Sequence, residues 1–224
     1  SGKTTLLRDM AHGLTTNLRY SRSDPIRIRA LLALHRLDAL ARNPSVSLPK
    51  LLSDPSPNLR IWAIRLLTDH LPIDLVSGQR PKDAPAVSGE VAPLLRSCAE
   101  KEGSPRVRLA LASALQRLPV PERIPIAKEL IKHAADADDH NLPLMLWYAL
   151  IPVANSLPEA LPSLAATCEI PLTLEALCWR AAAIHLEKPG TLDPILTQIA
   201  LRPKPLQEAA LRGIRAALKG IRQA

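Results

Sequence analysis

A degenerate repeat occurs three times in the first half of the chain. The copies begin at residues 24, 54 and 102 and read DPIRIRALLAL, DPSPNLRIWAIRLL and EGSPRVRLALASAL. Each has a proline-bearing turn, then an apolar residue and an arginine, then an apolar run with helical spacing. The arginines Arg27, Arg60 and Arg108 follow one another at intervals of 33 and 48 residues. Such periods are typical of helical hairpins that stack into a solenoid, which offers extended surface rather than one prebuilt chemical site.

The composition agrees with an all-helical chain. Apolar residues make up 47% of the sequence, aromatic residues only 2%, and phenylalanine is absent. Leucine and alanine favour helices, whereas sheets use more β-branched and aromatic residues. Many of the 22 prolines stand directly before a helical pattern, where the missing N–H costs nothing. The sequence therefore predicts an all-α, right-handed solenoid of about five or six helical hairpins.

Apolar periodicity also predicts the domain organisation. A repeat domain is expected over 25–221, preceded by residues 1–24, which the repeat pattern does not assign. The stretch 72–90 loses the periodicity and collects Pro, Gly, Ser and Asp, so we expect a long loop or an insertion there. Helices are predicted at 3–13, 25–41, after Pro49, and at 57–71, 90–100, 105–118, 121–135, 142–155, 158–167, 171–187, 191–201 and 204–221. Trp62, Trp147 and Trp179 lie in these helices and are expected to pack in the core or between repeats, with an aromatic binding cage as the alternative.

An acid precedes the repeat arginine by six residues in two of the copies. Asp54 stands before Arg60, and Glu102 stands before Arg108. An acid in the turn and an arginine on the next helix allow neighbouring repeats to form a ladder of charge-assisted hydrogen bonds. This spacing resembles the HEAT repeat. The first copy has Ser21 in place of the acid, which argues against a ladder at Arg27. The alternative is that these arginines are ordinary residues of a helix surface.

A short polar segment, HAADADDHNLP, is the candidate interaction loop. Its charged and ionisable residues are His133, Asp136, Asp138, Asp139 and His140. Clustered carboxylates and histidines can bind cations, but the spacing fits neither a calcium-binding loop nor a zinc-protease helix. The alternative is a polar turn in which Asp138 or Asp139 caps the next helix. We predict no metal site.

No catalytic constellation is evident. The opening SGKTTLL resembles the end of a phosphate-binding loop, in which Lys3 would contact phosphates and Thr4 magnesium. The upstream glycine and strand are missing, and no βαβ pattern follows, so a nucleotide-using enzyme is only a third hypothesis. The histidines have no paired nucleophile motif. The chain is predicted to be non-catalytic and to bind no cofactor itself, and its start at Ser1 suggests a piece of a longer protein.

Charge allows a second hypothesis. The formal net charge is +8, which favours anionic partners such as nucleic acid. The alternative function is therefore a nucleic-acid-binding HEAT array that uses a basic concave face, as in the alkylpurine DNA glycosylases built of such repeats. No apolar run is long enough to predict a membrane span.

The cysteines carry no metal or haem motif. Cys98, Cys168 and Cys178 form no C-x-x-C pair, and we expect buried thiols. A disulfide between Cys168 and Cys178 is the alternative in an oxidising compartment.

Several stretches together resemble one larger family. They are ALLALHRL, NLRIWAIRLLTD, SPRVRLALASALQRLP, HAADADDHNLPLMLWYAL, IPLTLEAL and ALRGIRAALKG. They are similar to the HEAT-repeat segment of the PVC-type haem-binding, or membrane-bound dehydrogenase domain, proteins of planctomycetes and verrucomicrobia. The resemblance implies a β-propeller before the repeats and a cytochrome c domain with a C-x-x-C-H motif after them. It also implies a periplasmic or cell-envelope redox protein that acts on sugars or related alcohols. In that protein this chain would be a spacer and an interaction platform for those domains or another protein.

Overall fold

A computed structural model of the chain describes residues 2–40, 46–74 and 89–219. These residues form twelve α-helices and two short 3-10 turns, and none of them lies in a β-strand. The chain packs as two compact units, Ser1–His70 and Leu71–Ala224. Most of the loop or insertion predicted at 72–90 lies outside the described residues.

The first unit contains four helices. They are α1 (Gly2–Tyr20), α2 (Asp24–Arg36), α3 (Leu48–Leu51) and α4 (Pro57–Thr68). Helix α1 packs on α2, and both α2 and α3 pack on α4. Helix α1 extends well past the predicted range of 3–13. Its second half keeps helical bonding, and the hydroxyl groups of Thr15 and Thr16 donate to the carbonyls of Ala11 and His12 one turn earlier.

The second unit contains the remaining eight helices of the described chain. They are α5 (Val91–Lys101), α6 (Pro105–Leu115), α7 (Val120–Leu130), α8 (Leu142–Ser156), α9 (Leu161–Thr167), α10 (Pro171–Glu187), α11 (Asp193–Ile199) and α12 (Lys204–Leu218). Helices α5, α7, α9 and α11 pack side by side in one layer, and α6, α8, α10 and α12 in a second layer. Each helix of the first layer also packs on the helix that follows it in sequence. The layers therefore consist of successive helical hairpins.

Prolines start most of these helices. Among the twelve helices of the described residues, all except α1 and α5 have a proline at the first or second position. Proline fits there because its fixed φ is already helical and no intrahelical N–H bond is lost. The prediction from sequence that the prolines start helices is confirmed.

Leucine, isoleucine and alanine fill the space between the layers of the second unit. The buried positions of α8 recur 28 residues later in α10, where Leu146 corresponds to Leu174 and Val153 to Ala181. The pattern recurs again 32 residues later in α12, so Ala181 corresponds to Gly213. A Cβ atom on Gly213 would lie 2.1 Å from the carbonyl oxygen of Glu175. Only glycine therefore permits the observed approach of α12 to α10.

The predicted fold class is confirmed, since the described helices form the sequential hairpins of a helical repeat. The tryptophan prediction is wrong in one case. Trp62 and Trp147 are half-buried, but 41% of Trp179 is exposed. Within the described ranges, no helix combines the length and hydropathy that a membrane span needs.

Candidate functional site

An ion pair joins the first two copies of the repeat within the first unit. Arg27, on α2, donates from Nη1 and Nη2 to the two carboxylate oxygens of Asp54, at 3.0 and 2.5 Å. Its Nε also donates to the carbonyl of Leu18, at 2.9 Å. Both side chains of the pair are largely buried. The acid of the second copy therefore binds the arginine of the first, although the first copy has no acid of its own.

A second link runs beside this pair. The carboxylate of Asp24 accepts hydrogen bonds from the hydroxyl of Ser56, at 2.5 Å, and from the side-chain amide of Asn58, at 2.9 Å. These two hydrogen bonds lower the pKa of Asp24, with a smaller contribution from Arg27. The turn before α4 is thus fastened to the start of α2.

The second unit contains a pair of the same kind that is more deeply buried. Arg108, on α6, donates from Nε and Nη2 to the carboxylate of Asp136, at 2.6 and 2.5 Å. Only 5% of Arg108 and 1% of Asp136 are exposed. Such two-point pairing has the geometry that guanidinium and carboxylate groups prefer. Asp136 is therefore a buried structural partner and not an exposed residue of an interaction loop.

Within one copy, the arginine reaches the backbone of the acid six residues before it. Arg60 donates to the carbonyl of Asp54 at 2.7 Å, and Arg108 to the carbonyl of Glu102 at 3.0 Å. The carboxylates hold their own turns, since Asp54 accepts the N–H of Ser56, and Glu102 that of Ser104. We call the pairs Arg27–Asp54 and Arg108–Asp136, with these carbonyl bonds, the arginine ladder.

The arginine ladder does not continue past Asp136 by the same rule. Six residues after Asp136 the chain has Leu142, which is fully buried. Later turns are joined differently. Arg202, before α12, donates to the carbonyl of Cys168 at 3.0 Å and to the carboxylate of Glu169 at 2.8 Å.

The remaining residues of the candidate interaction loop have separate environments. Asp138 and His140 are exposed, while His133 and Asp139 are half-buried. Burial, and next the positive charge of Arg108, lower the pKa of His133. Within the described parts of the chain, no three His, Cys, Asp or Glu side chains lie close enough together to hold a metal ion.

Asp139 caps helix α8. One of its carboxylate oxygens accepts the N–H groups of Leu142 and Asn141, at 2.7 and 2.8 Å, and these bonds lower the pKa of Asp139. We expect Asp139→Ala to lower the free energy of unfolding by about 1 kcal/mol. Because the folded-state pKa is lowered, this contribution is fully present above the ordinary pKa of about 4 and is lost progressively as the pH falls from there through the lowered pKa of the folded protein. Urea unfolding of both proteins at pH 7 and pH 3 checks this. If the two proteins differ in free energy of unfolding by as much at pH 3 as at pH 7, the capping role of Asp139 is wrong.

One buried arginine was missed by the sequence reasoning. Arg123, on α7, is fully buried; it donates to the carbonyls of Leu118 and Ala149 and forms an ion pair with Asp74. Helical periodicity places Arg123 on the same face as Ile126 and Leu130, which are both buried. An arginine at a core position was therefore the available signal, but its partner Asp74 lies 49 residues away.

All three cysteines are buried, and none of them forms a disulfide in the described structure. Burial raises the pKa of both Cys168 and Cys178 to about 12. Because the thiolate is the reactive form, we expect both to react at least about a thousandfold more slowly with a thiol reagent than an unperturbed cysteine. The rate of reaction with a chromogenic disulfide at pH 8, in the native protein and in protein unfolded by guanidinium chloride, tests this expectation. Rapid reaction of either thiol in the native protein would contradict the prediction.

The outer surface of the second layer is unusually apolar. Helix α8 contains no charged residue. Leu144 and Tyr148 on α8, and Leu172, Trp179 and Leu186 on α10, are between 39% and 48% exposed. On α12, Arg212 donates to the carboxylate of Glu175 on α10 at 3.0 Å. These exposed side chains were not predicted from the sequence, because apolar residues at helical spacing usually indicate a buried face.

Comparison with known proteins identifies part of the chain. Residues 44–141 match the family model of HEAT repeats, so this part of the chain is similar to a HEAT-repeat segment. It includes Asp54, Arg60, Glu102, Arg108 and Asp136, which belong to the arginine ladder. Neither the curated proteins nor the solved structures contain a match to the chain.

Proposed function

We propose that this chain is a non-catalytic scaffold and protein-interaction segment of a larger haem-containing, dehydrogenase-like protein of the cell envelope. The observation that carries the scaffold role is the arginine ladder. Its buried pair, Arg108–Asp136, joins one hairpin to the next through two short hydrogen bonds. Buried groups held in this way fix the relative position of successive helices, which suits a spacer.

The contacts that the buried carboxylates make support a non-catalytic role. Asp54, Asp136 and Asp74 each bind a guanidinium group, and these arginines also donate to backbone carbonyls. A catalytic acid or base needs a proton-transfer path to a substrate in a cleft. These carboxylates are instead enclosed between neighbouring helices.

The identity of the parent protein rests on resemblance. The segments from ALLALHRL to ALRGIRAALKG are similar to proteins in which a β-propeller precedes the repeats and a cytochrome c domain follows. In that arrangement the haem binds to the cytochrome domain, and this chain holds the two domains at a set separation. Any action on sugars or related alcohols is then a property of the parent.

The sequence on either side of the chain tests the parent. We expect repeated strand patterns before it and a C-x-x-C-H motif after it; a reading frame without that motif would overturn the assignment. Isothermal titration of this chain with the separately produced neighbouring domains tests the scaffold role. Binding of at least one of them is expected, and the failure of both would overturn the role.

The nucleic-acid alternative gives a different result in a simple measurement. It depends on the net charge of +8, yet Arg27, Arg108 and Arg123 are engaged in buried pairs. We expect no binding of labelled duplex DNA by fluorescence anisotropy at low salt, where phosphate contacts are strongest. Tight binding that weakens steeply with salt would favour the alternative.

A further inference from the structure

The exposed apolar residues of α8 and α10 lie on one surface. The two helices are neighbours in the second layer, and their buried positions correspond at a spacing of 28 residues. The side chains that point away from the core are therefore on the same side of both helices. We call this surface, made of Leu144, Tyr148, Leu172, Trp179 and Leu186, the α8–α10 face. Contiguous exposed apolar side chains of this kind mark interaction sites in soluble proteins.

An arginine with an unsatisfied nitrogen lies between the two helices of the α8–α10 face. The Nε of Arg180 is buried and has no hydrogen-bond partner among the described residues. Arg180 lies next to Trp179 on α10, about 140° around the helix from Glu175. Glu175 faces α12, because it binds Arg212. Arg180 is therefore on the opposite side of the exposed row from that ion pair. It lies on the side of α10 that packs on α8, as does Thr173, whose hydroxyl donates to the carbonyl of Pro143.

The repeat explains why the Nε of this arginine has no partner in the described part of the chain. The 32-residue correspondence between α10 and α12 makes Arg180 equivalent to Arg212. Arg212 binds Glu175 on the preceding helix. The residue of α8 that corresponds to Glu175 is Trp147, 28 positions earlier, and it carries no charge. An arginine position that is paired on α12 is thus left without its carboxylate on α10.

We infer that the α8–α10 face binds an amphipathic helix with acidic residues beside its apolar stripe. A helix can lay leucine-sized side chains over Leu172 and Trp179 while one of its carboxylates accepts from Arg180. Arg180 as a whole is half-buried, so a carboxylate can bind the part of its guanidinium that is not enclosed and add a charge-assisted bond within an apolar surface. The inference rests on the proposed interaction function and adds the location and the chemistry of the partner.

Charge favours this occupant over two others. A second copy of the chain would bring together two proteins of net charge +8, and the acids of its own face are Glu175, which already binds Arg212, and Glu187 at the end of α10. Nucleic acid would need several cations along its path. Helix α8 has none, and the cation of α12 nearest to α10, Arg212, already binds Glu175. An acidic helix matches both the apolar row and the arginine of the described residues whose buried Nε has no partner.

The test uses three labelled helical peptides of about 18 residues, or five turns. All have leucine and tryptophan on one face, and the residues beside that face are Glu, Gln or Lys. By fluorescence polarisation with the whole chain, we expect the Glu peptide to bind at least about tenfold more tightly than the Gln peptide, and the Lys peptide most weakly. Arg180→Gln should remove the preference for Glu over Gln, and Trp179→Ala should weaken both peptides by about tenfold or more.

Matched controls lie in the other layer of the same unit. Leu196→Ala removes a similarly exposed side chain on α11, and Arg96→Gln removes an exposed cation on α5. Neither should change peptide binding, and circular dichroism and melting confirm that each variant is folded. Equal binding of the Glu and Lys peptides, or equal loss in the controls, would overturn the inference. So would displacement of the Glu peptide by duplex DNA, or self-association that Trp179→Ala abolishes.

Failure of this inference is distinguishable from failure of the proposed function. The neighbouring domains are titrated against the wild-type chain and against the variant carrying both Trp179→Ala and Arg180→Gln. If they bind both chains equally and the peptides show no preference, the scaffold role stands and the α8–α10 face is not the site. If they bind neither chain while the Glu peptide still binds, the face stands and its partner lies outside the parent protein.

Discussion

Asp136→Ala will lower the free energy of unfolding by about 3–5 kcal/mol, because it leaves the guanidinium of Arg108 buried without its carboxylate. Arg108 is only 5% exposed and cannot reach water without disturbing the turn before α8. The carbonyl of Glu102 would remain as its partner, but one neutral acceptor does not balance a buried charge. Chemical unfolding followed by circular dichroism measures the loss.

Two further variants make this result specific. Asp138 lies two residues away and is exposed, so Asp138→Ala should change the free energy of unfolding by less than about 0.5 kcal/mol. Replacing both partners with apolar residues, Arg108→Met with Asp136→Leu, should restore much of the stability, since no buried charge is then left alone. If Asp136→Ala lowers the free energy of unfolding no more than Asp138→Ala does, the Arg108–Asp136 pair does not hold the hairpins together.

We expect Gly213→Ala to lower the free energy of unfolding by about 2 kcal/mol. The added Cβ would lie 2.1 Å from the carbonyl oxygen of Glu175 and 3.0 Å from the backbone nitrogen of Trp179. Because these are backbone atoms, α12 must move away from α10, at a cost near the upper end of about 3 kcal/mol for overpacking. The higher helix propensity of alanine offsets about 1 kcal/mol of this.

The control for Gly213 is another glycine of the same unit. A Cβ on Gly103 would meet no atom within 4 Å, so Gly103→Ala should cause no loss of stability. Thermal melting of the two variants beside the wild type compares them directly. If Gly213→Ala has the same melting temperature as the wild type, the packing of α12 does not depend on its close approach to α10.

The sequence was sufficient for the helices and for the positions of the arginines. Proline placement and apolar spacing predicted most helix ranges to within a few residues, because both act locally. The partners of the arginines were harder to predict. The spacing of six residues from Asp54 to Arg60 brings the arginine to a backbone carbonyl, whereas the carboxylate of Asp54 binds Arg27, which is 27 residues earlier.

Two other features depend on packing between distant parts of the chain. Arg123 and Asp74 meet across 49 residues, and no local pattern links them. Leu172 and Trp179 have the spacing of a buried stripe but lie on the outside of α10, because Leu174, Leu177 and Ala181 already form its buried face. Helical periodicity identifies both stripes and does not say which of them faces the core.

The arginine ladder also determines where a chain of this kind tolerates insertions. The separation from Arg27 to Asp54 is 27 residues and that from Arg108 to Asp136 is 28, so the length of chain between an arginine and the next acid can vary. The separation from Asp54 to Arg60 is six residues, as is that from Glu102 to Arg108. One extra residue on the helix before the arginine would turn its side chain by about 100° away from the carbonyl and the acid. Repeats of this kind can therefore gain length between hairpins during evolution, but not between an acid and the arginine that follows it.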